Sequence, residues 1–157
     1  MKEERRKNKN FEVRTLYTKA DKVCTSFFDE DYRYDDAEAV EELGLDEELI
    51  HQLIEDYITQ ILKSIIAFEE LLYSLQSKVD AKQEIDYTEL RELAHKNLGV
   101  VRNLRIKDAE YLLNDLMKKD DLEYLFLCIE VLRACAIRLN PEYAFDAIKL
   151  IEIKSTF

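Results

Sequence analysis

The sequence has very few of the residues that form tight turns. It contains two glycines and one proline in 157 residues, and no tryptophan. β-Sandwiches and β-barrels need glycine and proline at their many hairpins and corners, so this scarcity favours helices over strands. The apolar fraction of 47% is ordinary for a globular protein, and a chain of this length can bury the core of one domain.

Positive charge is also scarce, since 23 Lys and Arg residues face 34 Asp and Glu residues and leave a net charge of −11. Contacts with phosphates need clustered Lys and Arg, so we expect no nucleic-acid partner. The same charge disfavours an anionic membrane surface, and no apolar run approaches the ~20 residues that span a bilayer. We therefore expect no membrane association. The first ten residues are basic and polar, unlike a signal peptide.

The three cysteines, Cys24, Cys128 and Cys135, have no metal-ligand spacing and no even number for a disulfide framework. Cys128 and Cys135 fall on one predicted helix, ~10 Å apart along its axis, which is too far for a disulfide. These features predict a reduced, cytoplasmic protein, and no pattern of ligands predicts a metal site.

The N-terminal part of the chain has weaker signals than the rest. Residues 1–10 are predicted to form a flexible charged tail, and a helical stretch is predicted from Thr18 to Phe28. The acidic run from Asp29 to Asp36 is typical of a solvated link. We place the domain boundary here, with residues 1–33 as a tail and N-terminal extension and residues 34–157 as a helical bundle domain.

Within this domain, apolar residues recur at helical spacing through six segments. Gly44 closes the first segment, Asp46 caps the second, and Asn140-Pro141 separates the last two. The predicted fold class is all-α, an antiparallel four-helix bundle with an extra N-terminal segment and a C-terminal helix. The predicted helices are Asp36–Leu43, 46–77, Tyr87–Asn103, Lys107–Lys118, Asp121–Leu139 and Glu142–Ile153.

The predicted helix Asp121–Leu139 is apolar around most of its circumference. Such a helix must be covered on more than one side. The cover can come from residues 11–28, from the final helix or from a second copy of the chain. A homodimer through residues 121–139 is therefore one of the expectations.

The predicted helix Tyr87–Asn103 carries the candidate functional residue. At ~100° per residue, His95 and Gly99 fall on its outer side, with Arg91 and Arg102 beside them. Glycine costs ~1 kcal/mol relative to alanine in a helix interior, and here it leaves room for another surface to approach the histidine. The opposite side of the helix is predicted to face the core through Leu90, Leu93, Ala94, Asn97, Val101 and Leu104.

The segment from Leu93 to Leu104 (LAHKNLGVVRNL) resembles the phosphoacceptor helix of histidine-containing phosphotransfer (HPt) domains. That family's pattern reads approximately H-x-L-K-G-x-x-x-N-L, and His95, Gly99, Asn103 and Leu104 occupy matching positions. The likeness extends over roughly two-thirds of the chain, to about residue 139.

The resemblance implies an HPt-like bundle that serves as a phosphorelay intermediate. His95 would accept a phosphoryl group from a response-regulator receiver domain or a hybrid histidine kinase and donate it onward. Neutral imidazole, the nucleophilic form, is present near pH 7. The resemblance also implies no kinase activity and no cofactor of this chain's own, because the Mg²⁺ belongs to the receiver. The residues expected to contact the phosphoryl group or the partner are Arg91, Lys96, Leu98, Gly99 and Arg102.

Two positions depart from the family pattern. Asn97 stands where the family has a leucine, and Leu98 where it has the lysine that reaches the phosphoryl oxygens. On the helical wheel Asn97 lies within the core side. Leu98 lies at its edge, where we expect it to offer a receiver an apolar contact. The missing lysine raises an alternative function, a helical adaptor that binds a receiver or another protein without phosphotransfer.

A rival interpretation comes from a different class. Glu48 to His51 and Glu92 to His95 both have the Glu-x-x-His spacing found in di-iron carboxylate bundles. With a turn at residues 78–86, His51 lies ~40 Å from that turn and His95 only ~13 Å. The two histidines are therefore not expected at one level of the bundle, and His95 is expected to point outward.

Overall fold

The computed structural model describes residues 2–29 and 31–155, and all the regular secondary structure within them is helical. The predicted all-α class is therefore confirmed. None of the helices in these two ranges is long and apolar enough to cross a membrane. The helices are α1 (Lys2–Phe28), α2 (Asp36–Leu43), α3 (Glu47–Asp80), α4 (Thr88–Leu104), α5 (Lys107–Lys118), α6 (Leu122–Leu139) and α7 (Pro141–Ser155).

Several helix ends between α2 and α7 follow local sequence signals. The Asp46 carboxylate accepts a hydrogen bond from the Leu49 N–H at 2.8 Å and begins α3. Gly44 ends α2 in the left-handed region, with φ of 67°. Pro141 is the first residue of α7, a position where its missing N–H costs no helical hydrogen bond. The predicted bounds of α2 and α5 are confirmed, and those of the other four helices shift by only a few residues.

The N-terminal segment differs from its prediction. Helix α1 is continuous from Lys2 to Phe28, so the flexible tail predicted over residues 1–10 is wrong from Lys2 onward, and Met1 lies outside the described residues. No glycine or proline interrupts this stretch, and the Lys9 ammonium lies 3.0 Å from the Asp146 carboxylate of α7. Farther along, Cys24 is buried. The helix is therefore fixed by contacts with distant parts of the chain, which its own sequence pattern does not report.

Helices α3, α4, α5 and α6 pack in a closed cycle. In this cycle α3 contacts α4, α4 contacts α5, α5 contacts α6, and α6 contacts α3. Across the described ranges α4 and α6 do not contact each other, so they occupy opposite corners of the cycle. The interior is apolar, and its largest fully buried side chains include Ile58, Phe68, Leu72, Leu90, Leu113 and Leu132.

The remaining three helices lie around this cycle. Helix α2 packs against α3 and α4, whereas α1 and α7 pack against each other and against α6. Helix α6 is thus covered by α1 and α7 in addition to its neighbours α3 and α5. Two of the three covers expected for residues 121–139 are therefore present within one chain. A homodimer through α6 stays a prediction.

The acidic link before α2 is held against the domain by its tyrosines. The Tyr34 hydroxyl donates to the carbonyl of Leu104 at 2.7 Å, and the Tyr32 carbonyl accepts from Arg138 at 2.8 Å. Between them, the Arg33 side chain stays exposed. Glu30 lies outside the described residues, and the rest of the link is partly solvated, as predicted.

Candidate functional site

Helix α4 lies between α3 and α5, with α2 across one part of it. The rest of its surface faces solvent, and His95, Lys96, Gly99 and Asn103 are all exposed there. The outward position predicted for His95 is therefore confirmed. The side chains that α4 buries are Leu90, Ala94, Asn97, Leu98, Val101 and Leu104.

The imidazole of His95 makes no hydrogen bond or ion pair with any group in residues 2–29 and 31–155. The other histidine of the chain differs, because Nε2 of His51 lies 2.5 Å from a carboxylate oxygen of Asp36. Both histidines are exposed, so exposure alone does not set His95 apart. What distinguishes His95 is that both of its ring nitrogens are open to solvent or to an incoming partner.

Gly99 lies one helical turn after His95 and is also exposed. A Cβ atom placed on Gly99 would meet no other atom within 4 Å, and its φ is not in the positive region. Neither packing nor backbone conformation therefore requires glycine at this position. No contact or backbone requirement among the described residues therefore offsets the ~1 kcal/mol that glycine costs in a helix interior.

A shallow depression of about 540 Å³ adjoins His95 at the N-terminal half of α4. Arg91 crosses this region, and its Nη1 donates to the carbonyls of Leu116 and Lys119, both at 2.8 Å. These bonds satisfy carbonyls at the C-terminal end of α5, which lack partners within their own helix. The depression is lined by Tyr87, Thr88, Arg91, Glu92, His95 and Lys96.

The cationic residues predicted around His95 are not equivalent. The Arg91 guanidinium is fixed by α5 and lies 4.6 Å from the centre of the Tyr87 ring. Arg102 lies farther along the helix, and its Nε is 3.3 Å from the Glu110 carboxylate, which offsets its charge. Lys96 is exposed and lines the depression together with His95. Arg91 and Lys96 are therefore the two cationic residues that line the depression with His95, and the Arg91 guanidinium is directed toward Tyr87 and the end of α5.

Leu98 corrects one expectation. Its side chain is 2% exposed, so the prediction that it offers a partner an apolar contact is wrong. Because α4 packs against both α3 and α5, its buried side is wider than the single stripe assumed from the helical wheel. Val100, which follows Gly99 in sequence, is 40% exposed.

Asn97 lies within the core, as predicted, and its amide is satisfied there. Its Nδ2 donates to the Leu93 carbonyl at 2.9 Å and to the Ser64 hydroxyl of α3 at 3.2 Å. Asn97 and Ser64 are 2% and 4% exposed. The departure from the family's leucine is therefore accompanied by a polar partner on the neighbouring helix, and the pair joins α3 to α4.

The rival metal interpretation is not favoured by the geometry. Across the described ranges, one group of potential ligand side chains has its ligand atoms within 4.8 Å of one another, namely Asp36, Glu47 and His51. It lies where α2 and α3 begin, and His95 is not part of it. Since both histidines are exposed, the two Glu-x-x-His segments do not meet inside the helical core.

Comparisons with protein-family models, with curated proteins and with solved structures found no match to this chain. The resemblance to the HPt phosphoacceptor helix therefore depends on the residues themselves. His95, Gly99 and Asn103 share the exposed side of α4, and Leu104 is buried.

Proposed function

We propose that this chain is a phosphorelay intermediate with an HPt-like four-helix bundle formed by α3 to α6. His95 accepts a phosphoryl group from the aspartyl phosphate of a response-regulator receiver domain and can return it to a receiver or a hybrid histidine kinase. The observation that carries the proposal is the pairing of an unengaged imidazole with Gly99, a glycine that the fold itself does not require.

The proposed transfer needs only the imidazole from this chain. Nε2 of neutral His95 attacks the phosphorus atom, the bond from phosphorus to the aspartyl oxygen breaks, and the electron pair stays on the receiver's carboxylate. Nδ1 keeps its proton, so the product is a phosphorylated imidazolium and no base is consumed. This chemistry agrees with a histidine that has no hydrogen-bond partner within the described chain.

The surroundings of His95 support docking followed by transfer. Gly99 lets another surface approach one turn from the imidazole, because it has no side chain. Lys96, which is exposed and lines the depression together with His95, supplies positive charge near the transferred group. The receiver would contribute its own acidic pocket and Mg²⁺, so no metal ligand is needed on α4.

The direct test is phosphoryl uptake from a phosphorylated receiver. Incubation should give this chain a phosphate that is labile in acid and stable in base, as expected for phosphohistidine. His95→Gln should abolish uptake, whereas His51→Gln is the matched control because it replaces the only other histidine and should leave uptake unchanged. Uptake that survives His95→Gln, or that is lost in His51→Gln, contradicts the proposal.

One observation favours a second candidate function, an HPt-like adaptor that binds without transfer. The family's lysine is replaced by Leu98, which is buried, so no cation reaches out from that position. An adaptor should bind a receiver in calorimetry, with the same affinity for wild type and His95→Gln, and should show no uptake of phosphate. Phosphohistidine formation in the wild type would exclude this alternative.

A further inference from the structure

Two cysteines from distant parts of the chain meet in the core. Sγ of Cys24 on α1 lies 3.5 Å from Sγ of Cys135 on α6, although the residues are 111 positions apart. Their side chains are 1% and 2% exposed, and both are free thiols. An S–S bond is ~2.05 Å long, so a shift of ~1.5 Å would allow it to form.

We propose that Cys24 and Cys135 are a site of reversible oxidative modification, at which a hydroperoxide produces a disulfide that ties α1 to α6. The proposal is independent of the phosphorelay function, because neither cysteine lies on α4. Cys128, the third cysteine, also lies on α6 and is buried, but no other cysteine contacts it among the described residues.

The surroundings assign different roles to the two thiols. The hydrogen bond from Cys135 lowers the pKa of Cys24, and the positive charge of Arg138 lowers it further against the opposing effect of burial. The Arg138 side chain is only 6% exposed, so its charge is little screened by water. The pKa of Cys135 is raised well above its ordinary value by the hydrogen bond it gives to Cys24 and by burial. These effects, together with the 3.5 Å approach of the two sulfur atoms, favour Cys24 as the nucleophile and Cys135 as the resolving thiol.

The reaction has two balanced steps. The Cys24 thiolate attacks one oxygen of the hydroperoxide and breaks the O–O bond, which gives a sulfenic acid and an alkoxide or hydroxide that takes up a proton. Sγ of Cys135 then attacks Sγ of the sulfenic acid, the S–O bond breaks, and the hydroxyl group leaves as water with the proton of Cys135. Two thiols lose two electrons, and one hydroperoxide is reduced to an alcohol, or to water if it is hydrogen peroxide.

The position of α1 gives the oxidant a route to the site. Helix α1 lies outside the cycle of α3 to α6 and packs against α6 and α7, with Phe27 and Phe28 at its C-terminal end against Tyr111 of α5. It can open locally while the contacts among α3, α4, α5 and α6 are kept. The polar contacts that such opening must break are few and include Arg138 with Asp21 at 3.2 Å and Lys9 with Asp146 at 3.0 Å. Once formed, the disulfide would keep α1 on α6 through later openings.

The test uses the full-length native protein and hydrogen peroxide. After treatment, free thiols are blocked with a maleimide without reductant, the protein is digested, and the peptides are identified by mass. We expect a cross-linked peptide pair containing Cys24 and Cys135, an intact mass lower by two hydrogen atoms, and reversal by dithiothreitol. Cys128→Ala is the matched control and should keep the cross-link, whereas Cys24→Ala and Cys135→Ala should lose it.

A second measurement tests the effect on α1 and does not require any variant to fold. Trypsin should cleave after Lys19 and Lys22 more slowly in the oxidised wild type than in the reduced wild type. Three free thiols after treatment, a disulfide that includes Cys128, or a product that dithiothreitol does not reverse would each overturn the modification site. Equal cleavage rates would overturn the tie between α1 and α6.

Discussion

Replacing Gly99 with alanine separates the cost of this glycine to the fold from its use at the surface. A Cβ at position 99 has open space around it and the backbone is helical, so the substitution introduces no clash and no strain. Alanine is favoured over glycine in a helix interior by ~0.8–1 kcal/mol. We therefore expect the free energy of unfolding to rise by about 1 kcal/mol and the melting temperature by ~2–4 °C for a chain of this size.

Urea denaturation followed by circular dichroism measures this change, and Gly44→Ala is its matched control. Gly44 also has no atom within 4 Å of an added Cβ, but its φ is +67°. Alanine there should lower the unfolding free energy by ~1–2 kcal/mol, because only the backbone conformation differs between the two sites. A Gly99→Ala variant that is no more stable than wild type would refute the reasoning, since glycine would then serve the fold.

A larger side chain at position 99 tests whether a partner approaches His95 there. Gly99→Glu should keep the gain in helix propensity, yet block receiver docking by bulk and charge one turn from His95. The rate of phosphoryl uptake measures this effect, with Gly99→Ala as the intermediate step in size. Normal uptake in Gly99→Glu would show that no partner surface approaches at this point.

Three further predictions concern the core and the pH dependence of stability. Asn97→Leu should lower the unfolding free energy, measured in urea, by ~1–3 kcal/mol, because the Ser64 hydroxyl loses its buried partner. Adding Ser64→Ala should recover most of this loss. A single variant Asn97→Leu that is more stable than wild type would contradict the pairing. Arg138→Met should lower the unfolding free energy by ~3 kcal/mol in the same assay, because it leaves the buried carboxylate of Asp108 without its cation at 3.7 Å. In that background Asp108→Asn should recover part of the loss, and a lack of any recovery would contradict the pairing. Burial raises the pKa of Tyr34 from 10.0 to about 12. The contribution of this tyrosine to the unfolding free energy is therefore complete below pH 10 and is lost as the pH rises toward 12. Tyr34→Phe should reduce the dependence of the unfolding free energy on pH between 10 and 12, and an unchanged slope would disprove the assignment.

The sequence predicted the helices that have local start and stop signals. Asp46 and Gly44 act within one turn of chain, so the bounds they mark do not depend on the rest of the fold. Helix α1 has no such signals and only a weak apolar stripe, and its first half is held by the contact of Lys9 with α7. That contact joins residues far apart in sequence. The periodicity of apolar residues is assessed over a short window of sequence, so it cannot predict such a contact.

The same distinction applies to the candidate site. The outward direction of His95 and the buried position of Asn97 follow from helical geometry, and both were predicted. Leu98 was misplaced, because the width of the buried side depends on how many helices pack against α4. The bonds of Arg91 to the end of α5 were missed for a related reason, since only the folded structure shows which carbonyls lie within its reach.

Because α4 and α6 occupy opposite corners of the four-helix cycle, the helices that pack on α6 can carry labels for measurements of receiver binding. Both terminal helices, α1 and α7, pack on α6, and neither contacts α4 among the residues described. An affinity tag, a fluorophore or a surface-coupling linker at either end of the chain is therefore attached to a helix that does not pack on α4. Immobilising the chain by one end and then by the other should give the same receiver affinity, which makes the two orientations a built-in check for artefacts of attachment.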